Sequence, residues 1–297
     1  MKKSYQRFTI LFGLILFLTS ILLNSNLITN NILDYTNLFL TKLFPSSFIF
    51  YITSSLLIDY GLVHLLSKLL PWNGNITYVT LMSLVSGFPS GSKYTKDLLE
   101  KNYITLETAN YLTMFTHFPN PLFVLTTVYS ILKNKKITIL LLVSIIISNL
   151  LIAIFFHKKE KENNLKEKEI PKDFPSSLKK AIISATKTIL TIYGTSLFFY
   201  LIAVLITNIT SPTIYSYVLI NGFFDLTKGI TSTALLKDTT LQSIFIIIFI
   251  ALGGVSIHMQ VKSILADTKI NYKYFLLGRI ISTLFSIILF FIFLTIM

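Results

Sequence analysis

The sequence predicts an all-α polytopic membrane protein, on three observations: few charges, apolar runs of membrane length, and several such runs interrupted by glycine or proline. Of 297 residues, 53% are hydrophobic and only 13% are charged, with a mean hydropathy of +0.70. A soluble domain carries about 25% charged residues. The clearest run, residues 137–156, reads ITILLLVSIIISNLLIAIFF and holds no charge. At about 1.5 Å per residue such a run covers roughly 30 Å, the thickness of a bilayer hydrocarbon core. A core helix of a soluble protein would keep a polar face, and this run has almost none.

The elements follow in order. The N-terminus, MKKSYQRFTILFGLILFLTSILL, has a basic start and an apolar run like a signal peptide. It is followed by Asn24, Ser25, Asn26 and Leu27 rather than a small-residue cleavage site, which predicts an uncleaved first span. Further apolar segments lie near 38–58, 76–87, 121–132, 137–156, 188–207, 213–226, 241–257 and 275–296. Several are too short to cross alone. The segment 76–87 ends in Ser-Gly-Phe-Pro, and 121–132 opens on Pro119-Asn120-Pro121. Short, broken apolar segments point to re-entrant or discontinuous helices, which survive at membrane depth only when buried or lining a wet cavity. The expectation is roughly seven to nine membrane helices, broken ones included. Residues 157–180, HKKEKENNLKEKEIPKDFPSSLKK, mix both charge signs around Pro171 and Pro175. They read as a solvated linker between a first membrane half, 1–156, and a second, 181–297.

The net charge of +13 sits in clusters beside apolar runs: Lys2, Lys3 and Arg7; Lys133, Lys135 and Lys136; and Lys158 to Lys187. That placement fits membrane-flanking loops and not a nucleic-acid surface, which would need a basic face on a soluble module. The clusters disagree with one another on sidedness, so topology stays open. Cysteine is absent, which excludes disulfides, thiolate metal sites and cysteine nucleophiles.

Sliding the chain against itself by 166 residues lays Tyr51 on Tyr217, Asp59 on Asp225, Gly87 on Gly253, Ser90 on Ser256 and Lys96 on Lys262. The shared pattern is an acid after an apolar run, a glycine break, then a polar stretch. This predicts a two-fold internal repeat, a common plan among transporters.

Three polar groupings carry the candidate chemistry. In Ser86-Gly-Phe-Pro-Ser-Gly-Ser-Lys93, Gly87, Pro89 and Gly91 cannot continue an ordinary helix. The freed amides, with Ser90, Ser92 and Lys93, suit an anionic or hydroxylated ligand; a hairpin tip with a snorkelling lysine fits equally well. In Asn221-Gly-Phe-Phe-Asp-Leu-Thr-Lys-Gly229, Asp225 follows an apolar stretch and is flanked by Thr227. A carboxylate at that depth is expensive and by default contacts an ion, a proton or a substrate. Asp59 invites the same reading, with an interfacial helix cap as the alternative for each acid. In Gly253-Gly-Val-Ser-Ile-His-Met-Gln260, Gly253 and Gly254 break the helix before Ser256, His258 and Gln260. Asn120, between Pro119 and Pro121, joins the candidate substrate contacts. Enzyme signatures are poor. His64, His117, His157 and His258 show no zinc spacing, Ser90 has no G-x-S-x-G setting, and no phosphate-binding loop is present. The expectation is a non-enzyme with no cofactor and no metal.

These groupings, with Asp97-Leu-Leu-Glu-Lys101, Pro121-Leu-Phe-Val124 and Ile264-Leu-Ala-Asp-Thr-Lys-Ile-Asn-Tyr-Lys273, run in order over about residues 40–285. In this order the sequence resembles the YlbJ family of sporulation integral membrane proteins, within the wider nucleoside-recognition or Gate-domain membrane proteins. Asp225 stands where that family usually has Glu, and His117-Phe-Pro-Asn120 stands where it tends to have a small polar run. The resemblance implies two Gate-like repeats, the first from about residue 38 and the second within 181–297. It also implies a multi-pass cell-membrane location, a role in forming resistant spores, and kinship with the gate regions of nucleoside and iron transporters, without supplying a substrate. The leading expectation is a transporter-like core that binds or moves a small polar solute, nucleoside-like solutes included. The alternative is a non-transporting scaffold that meets other sporulation membrane proteins during spore envelope or cortex assembly. The partners expected are the lipid bilayer, a small polar solute and such membrane proteins, with no nucleic acid.

Overall fold

A computed structural model of the chain describes residues 2–69, 74–157 and 173–296. Residues 158–172, the charged middle of the linker with Pro171, lie outside the described residues. Among the described residues every regular element is helical. The order is α1 (Lys2–Leu23), α2 (Ser25–Leu38), α3 (Phe44–Asp59), α4 (Leu62–Leu69), α5 (Gly74–Ser86), α6 (Ser90–Glu100), α7 (Leu106–Phe115) and α8 (Pro121–Phe123). Then come α9 (Tyr129–Leu132), α10 (Lys135–Phe155), α11 (Phe174–Thr210), α12 (Ile214–Phe224), α13 (Leu226–Ser232), α14 (Thr239–Leu252), α15 (Val255–Leu265) and α16 (Tyr272–Ile296). Single π-helical turns, Phe39–Leu43 and Val124–Val128, join α2 to α3 and α8 to α9.

Among the described residues five helices are long and apolar enough to cross a membrane: Tyr5–Leu23, Lys135–Phe155, Phe174–Thr210, Thr239–Leu265 taken across its break, and Tyr272–Ile296. Ser47–Asp59, Pro121–Leu132 and Ile214–Phe224 are shorter and apolar. The chain is therefore an all-α, multi-pass membrane protein. Local chemistry sets the helix starts. Asn134 caps α10 by accepting from Ile137 N at 3.1 Å, and Asp173 caps α11 by accepting from Ser176 N at 3.2 Å. Asp238 caps α14 by accepting from Thr240 N at 2.7 Å. Each side chain satisfies a backbone donor that the helix itself leaves open.

The interior is built where α10 packs along α16, α3 and α15 along α11, and α7 across α16. Ser148 Oγ donates to the Ser282 carbonyl at 2.8 Å, so two small residues bring α10 and α16 together and share a hydrogen bond. One apolar cluster gathers Tyr51, Tyr78, Tyr94, Phe115, Phe118 and Phe275; a second gathers Val128, Leu141, Ile145, Ile246, Ile250 and Phe290. Leu190, Ile154, Leu284 and Ile288 stay exposed on the outside. For helices solvated by lipid, that outward apolar surface is the favourable arrangement.

Four helix interruptions organise the centre. They fall at 87–89 between α5 and α6, at 116–120 between α7 and α8, at Asp225 between α12 and α13, and at Gly253-Gly254 between α14 and α15. Gly87 and Gly253 each hold φ +77°, a region that L side chains rarely adopt. The interruptions meet in pairs. Gly87 lies against Asn120 and Gly91 against the Thr116 carbonyl, while Gly254 lies against the Gly222 carbonyl oxygen. A side chain at any of these crossings meets rigid backbone. Gly91→Ala is expected to lower stability by about 1–3 kcal/mol through overpacking. Gly194→Ala, mid-helix in α11 with open space around it, is expected to stabilise by roughly 0.5–1 kcal/mol. Thermal unfolding of the two purified variants beside the parent checks both signs.

Candidate functional site

A cavity of about 300 Å³ opens where the interruptions converge. Ser86 and Pro89 come to its wall from the first break, Asn120 from the second, Asp225 and Thr227 from the third, and Gln260 from the helix after the fourth. Tyr35 of α2, Tyr51 of α3 and Ser196 of α11 add further polar groups to the lining. Both π-helical turns border it, through Phe39 and Thr41 on one side and Thr126 and Thr127 on the other. Such turns widen a helix locally and occur often at functional sites.

Asp225 is 2% exposed and serves as the N-cap of α13. Its Oδ1 accepts from Lys228 N at 2.9 Å. Its Oδ2 accepts from the Tyr35 hydroxyl at 3.3 Å and the Ser256 hydroxyl at 3.4 Å. Ser256 is in the first turn of α15, so the carboxylate lies at the starts of two helices, where exposed N–H groups favour negative charge. Among the described residues no cation is ion-paired with it. Gln260, 1% exposed, donates from Nε2 to Ser196 Oγ at 2.6 Å, and its Oε1 has no partner. A buried amide oxygen left open beside a cavity is an acceptor available to a ligand. Asn120 caps α8, its Oδ1 accepting from Leu122 N at 2.9 Å, while Nδ2 donates to the Ser86 carbonyl at 3.4 Å. That second bond ties the first two interruptions together.

The remaining sequence candidates lie apart from the cavity. Lys93 is buried but paired with Asp97 at 2.6 Å, four residues on in α6. Asp59 closes α3 and pairs with Lys101 at 2.7 Å, so the two acids of the 166-residue offset do not share one cavity. Ser90 is bonded inside the first break, to Ser86 Oγ at 3.0 Å and to the Gly87 carbonyl. Ser92 is buried in the first turn of α6. The ring nitrogens of His258 meet the Tyr272 hydroxyl and, at 2.9 Å, the Leu252 carbonyl.

Arg279 went unnoticed in the sequence and sits behind the cavity wall. It is fully buried in α16. Nη2 donates to the Met114 carbonyl and to Asn149 Oδ1, each at 2.9 Å. Nη1 reaches the Ala251 carbonyl at 3.2 Å and the His117 carbonyl at 3.5 Å. Met114 and Ala251 belong to the last turns of α7 and α14, the two helices that end at the second and fourth interruptions. Helix ends present unpaired carbonyls and a partial negative charge, which a guanidinium fork matches. His117 stacks on Phe88, with ring centroids 4.7 Å apart, and Phe88 lines the cavity. One signal for Arg279 was legible: a cation well inside a 25-residue apolar helix whose other cation, Lys273, lies in the first turn.

Fold and site together define a multi-pass membrane protein whose discontinuous helices border a largely apolar cavity carrying a few buried polar groups. The chain is similar to "Sporulation integral membrane protein YlbJ" of Bacillus subtilis (strain 168): 28% identical in an alignment that covers 82% of this chain and 72% of that protein. The YlbJ-type resemblance of the motifs is thereby borne out. No family model matches the chain, and no solved structure matches it.

Replacing Asp225 with Leu strands the Lys228 amide and the Tyr35 and Ser256 hydroxyls, at about 1–3 kcal/mol for each group that finds no other acceptor. Asp225→Asn keeps one acceptor oxygen and is expected to cost much less. Comparison of the thermal midpoints in detergent tests the order: parent, then Asn, then Leu.

Proposed function

We propose that this chain is a sporulation-associated membrane protein whose core binds a small polar solute in the Asp225 cavity and passes it across the membrane. The observation that carries the reading is Asp225 itself: a buried carboxylate with no cationic partner among the described residues, facing a cavity built from interrupted helices. Ionisable groups at that depth are costly and are kept where a solute or ion meets them. Gln260 Oε1, which has no partner, adds an open acceptor from the helix after the fourth break. Thr227, Asn120 and Tyr51 add hydroxyl and amide contacts. The sporulation role rests on the relative from Bacillus subtilis alone. Within this reading the protein performs no chemistry on the solute and needs no cofactor.

The finer architecture belongs to the same proposal. Five long and three shorter apolar helices serve as membrane segments, within the seven to nine expected. Two gate-like halves flank the linker. The two-fold repeat is supported by the backbone around its matched glycines. Gly87 follows a 13-residue helix and Gly253 a 14-residue helix, both at φ +77°, and each break leads into an 11-residue helix.

The test is uptake and binding in proteoliposomes with a panel of nucleosides and small hydroxylated, amide-bearing and carboxylated solutes. Saturable uptake is expected for the parent. Asp225→Asn should weaken it about 10–100-fold, the value of one charge-assisted hydrogen bond of ~1.5–3 kcal/mol, while still inserting normally. Well-folded protein that neither binds nor moves any member of the panel would move the assignment to a partner-binding scaffold.

A further inference from the structure

We infer that Arg279 is a positioning residue for the cavity, holding two interrupted helices in register through their carbonyl ends without touching the solute. This rests on geometry and goes beyond the transport reading. Arg279 is absent from the cavity lining, yet its guanidinium reaches four oxygens contributed by three different segments. Two of them, from Met114 and Ala251, are helix-end carbonyls, and the His117 carbonyl belongs to the second interruption itself.

The consequences run to the cavity by two short routes. Beyond Met114 the chain passes through His117, whose ring supports Phe88, to Asn120; Phe88 and Asn120 are both wall residues. Beyond Ala251 it passes through Gly253-Gly254 to Ser256, which donates to Asp225, and on to Gln260. Gly254 also lies against the Gly222 and Phe223 carbonyls, just ahead of Asp225. One side chain therefore fixes where both interruptions begin. Gly278, the neighbour of Arg279, lies against the Met114 backbone, so α16 approaches the end of α7 closely enough for the fork to reach. Lysine cannot replace it. A single ammonium has the charge but not the planar fork that spans oxygens from separate helices.

The absence of cysteine makes the test clean. A Thr227→Cys reporter lines the cavity, and a Ser54→Cys reporter is fully buried in α3 and is not part of its lining. Each is placed in the parent and in Arg279→Lys, purified into lipid nanodiscs with both faces open to a membrane-impermeant methanethiosulfonate reagent. Labelling follows the population of locally opened protein. Arg279→Lys is expected to raise the Thr227→Cys rate about tenfold and leave Ser54→Cys unlabelled. An unchanged rate at Thr227→Cys overturns the inference. So does a parallel rise at both reporters, which would mean that Arg279 merely stabilises the whole fold. Should Arg279→Lys fail to fold, Asn149→Ala removes one of the four oxygens and is read in its place. A smaller rise confined to Thr227→Cys supports the positioning role, and no change refutes it. No solute enters the assay, so its outcome is independent of whether transport is found.

Discussion

A helix that stops inside a bilayer leaves amide donors at one end and carbonyl acceptors at the other, with no water to take them. That constraint shapes the rest of this molecule. Arg279 collects carbonyl ends from α7 and α14, and Asp225 sits at the starts of α13 and α15. Neither charge has an ion-pair partner among the described residues. Each is stabilised by the partial charge that interrupted helices provide. The break at Gly253-Gly254 is the shared element: Ala251 before it faces the cation, and Ser256 after it faces the anion.

Interrupted helices also explain why a cavity exists. Continuous helices packed side by side would fill the interior with interlocking side chains, as α10 and α16 do at Ser148 and Ser282. Where helices stop and cross at glycines, backbone replaces side chain at the contact, and polar groups are left facing inward. The Gly87–Asn120 and Gly222–Gly254 crossings place Asn120 and Asp225 at one space, with Gln260 beside them. The aromatic rings of Tyr35, Tyr51 and Phe88 supply apolar surface between the hydrogen-bonding groups, the usual composition of a small-solute site.

Much of this was legible in the sequence, for physical reasons that differ by residue. The breaks at Gly87, Asn120 and Gly253 were visible because glycine and proline announce backbone that cannot continue a helix. Asp225 was visible because a carboxylate after an apolar stretch is expensive. Tyr35 and Ser196 were not visible, since their partners lie 190 and 64 residues away in sequence and neither residue type is unusual in a helix. Lys93 looked like a ligand contact, although Asp97 at i+4 is the ordinary helical partner for a lysine. Asp59 was matched to Asp225 by sequence offset, but its neighbour in space is Lys101, across the α3–α6 contact. Arg279 was the costliest omission. It is a single charge in an apolar run, and three of its four partners are backbone carbonyls, which no side-chain pattern reveals.

The most direct measurement is a density map of the protein in a lipid nanodisc, read at Arg279 and at the four interruptions. The expected map shows the guanidinium between the Met114 and Ala251 carbonyls, with Asp225, Asn120 and Gln260 around one cavity. A continuous helix through Gly253-Gly254, or an Arg279 side chain turned away from both helix ends, would contradict this arrangement.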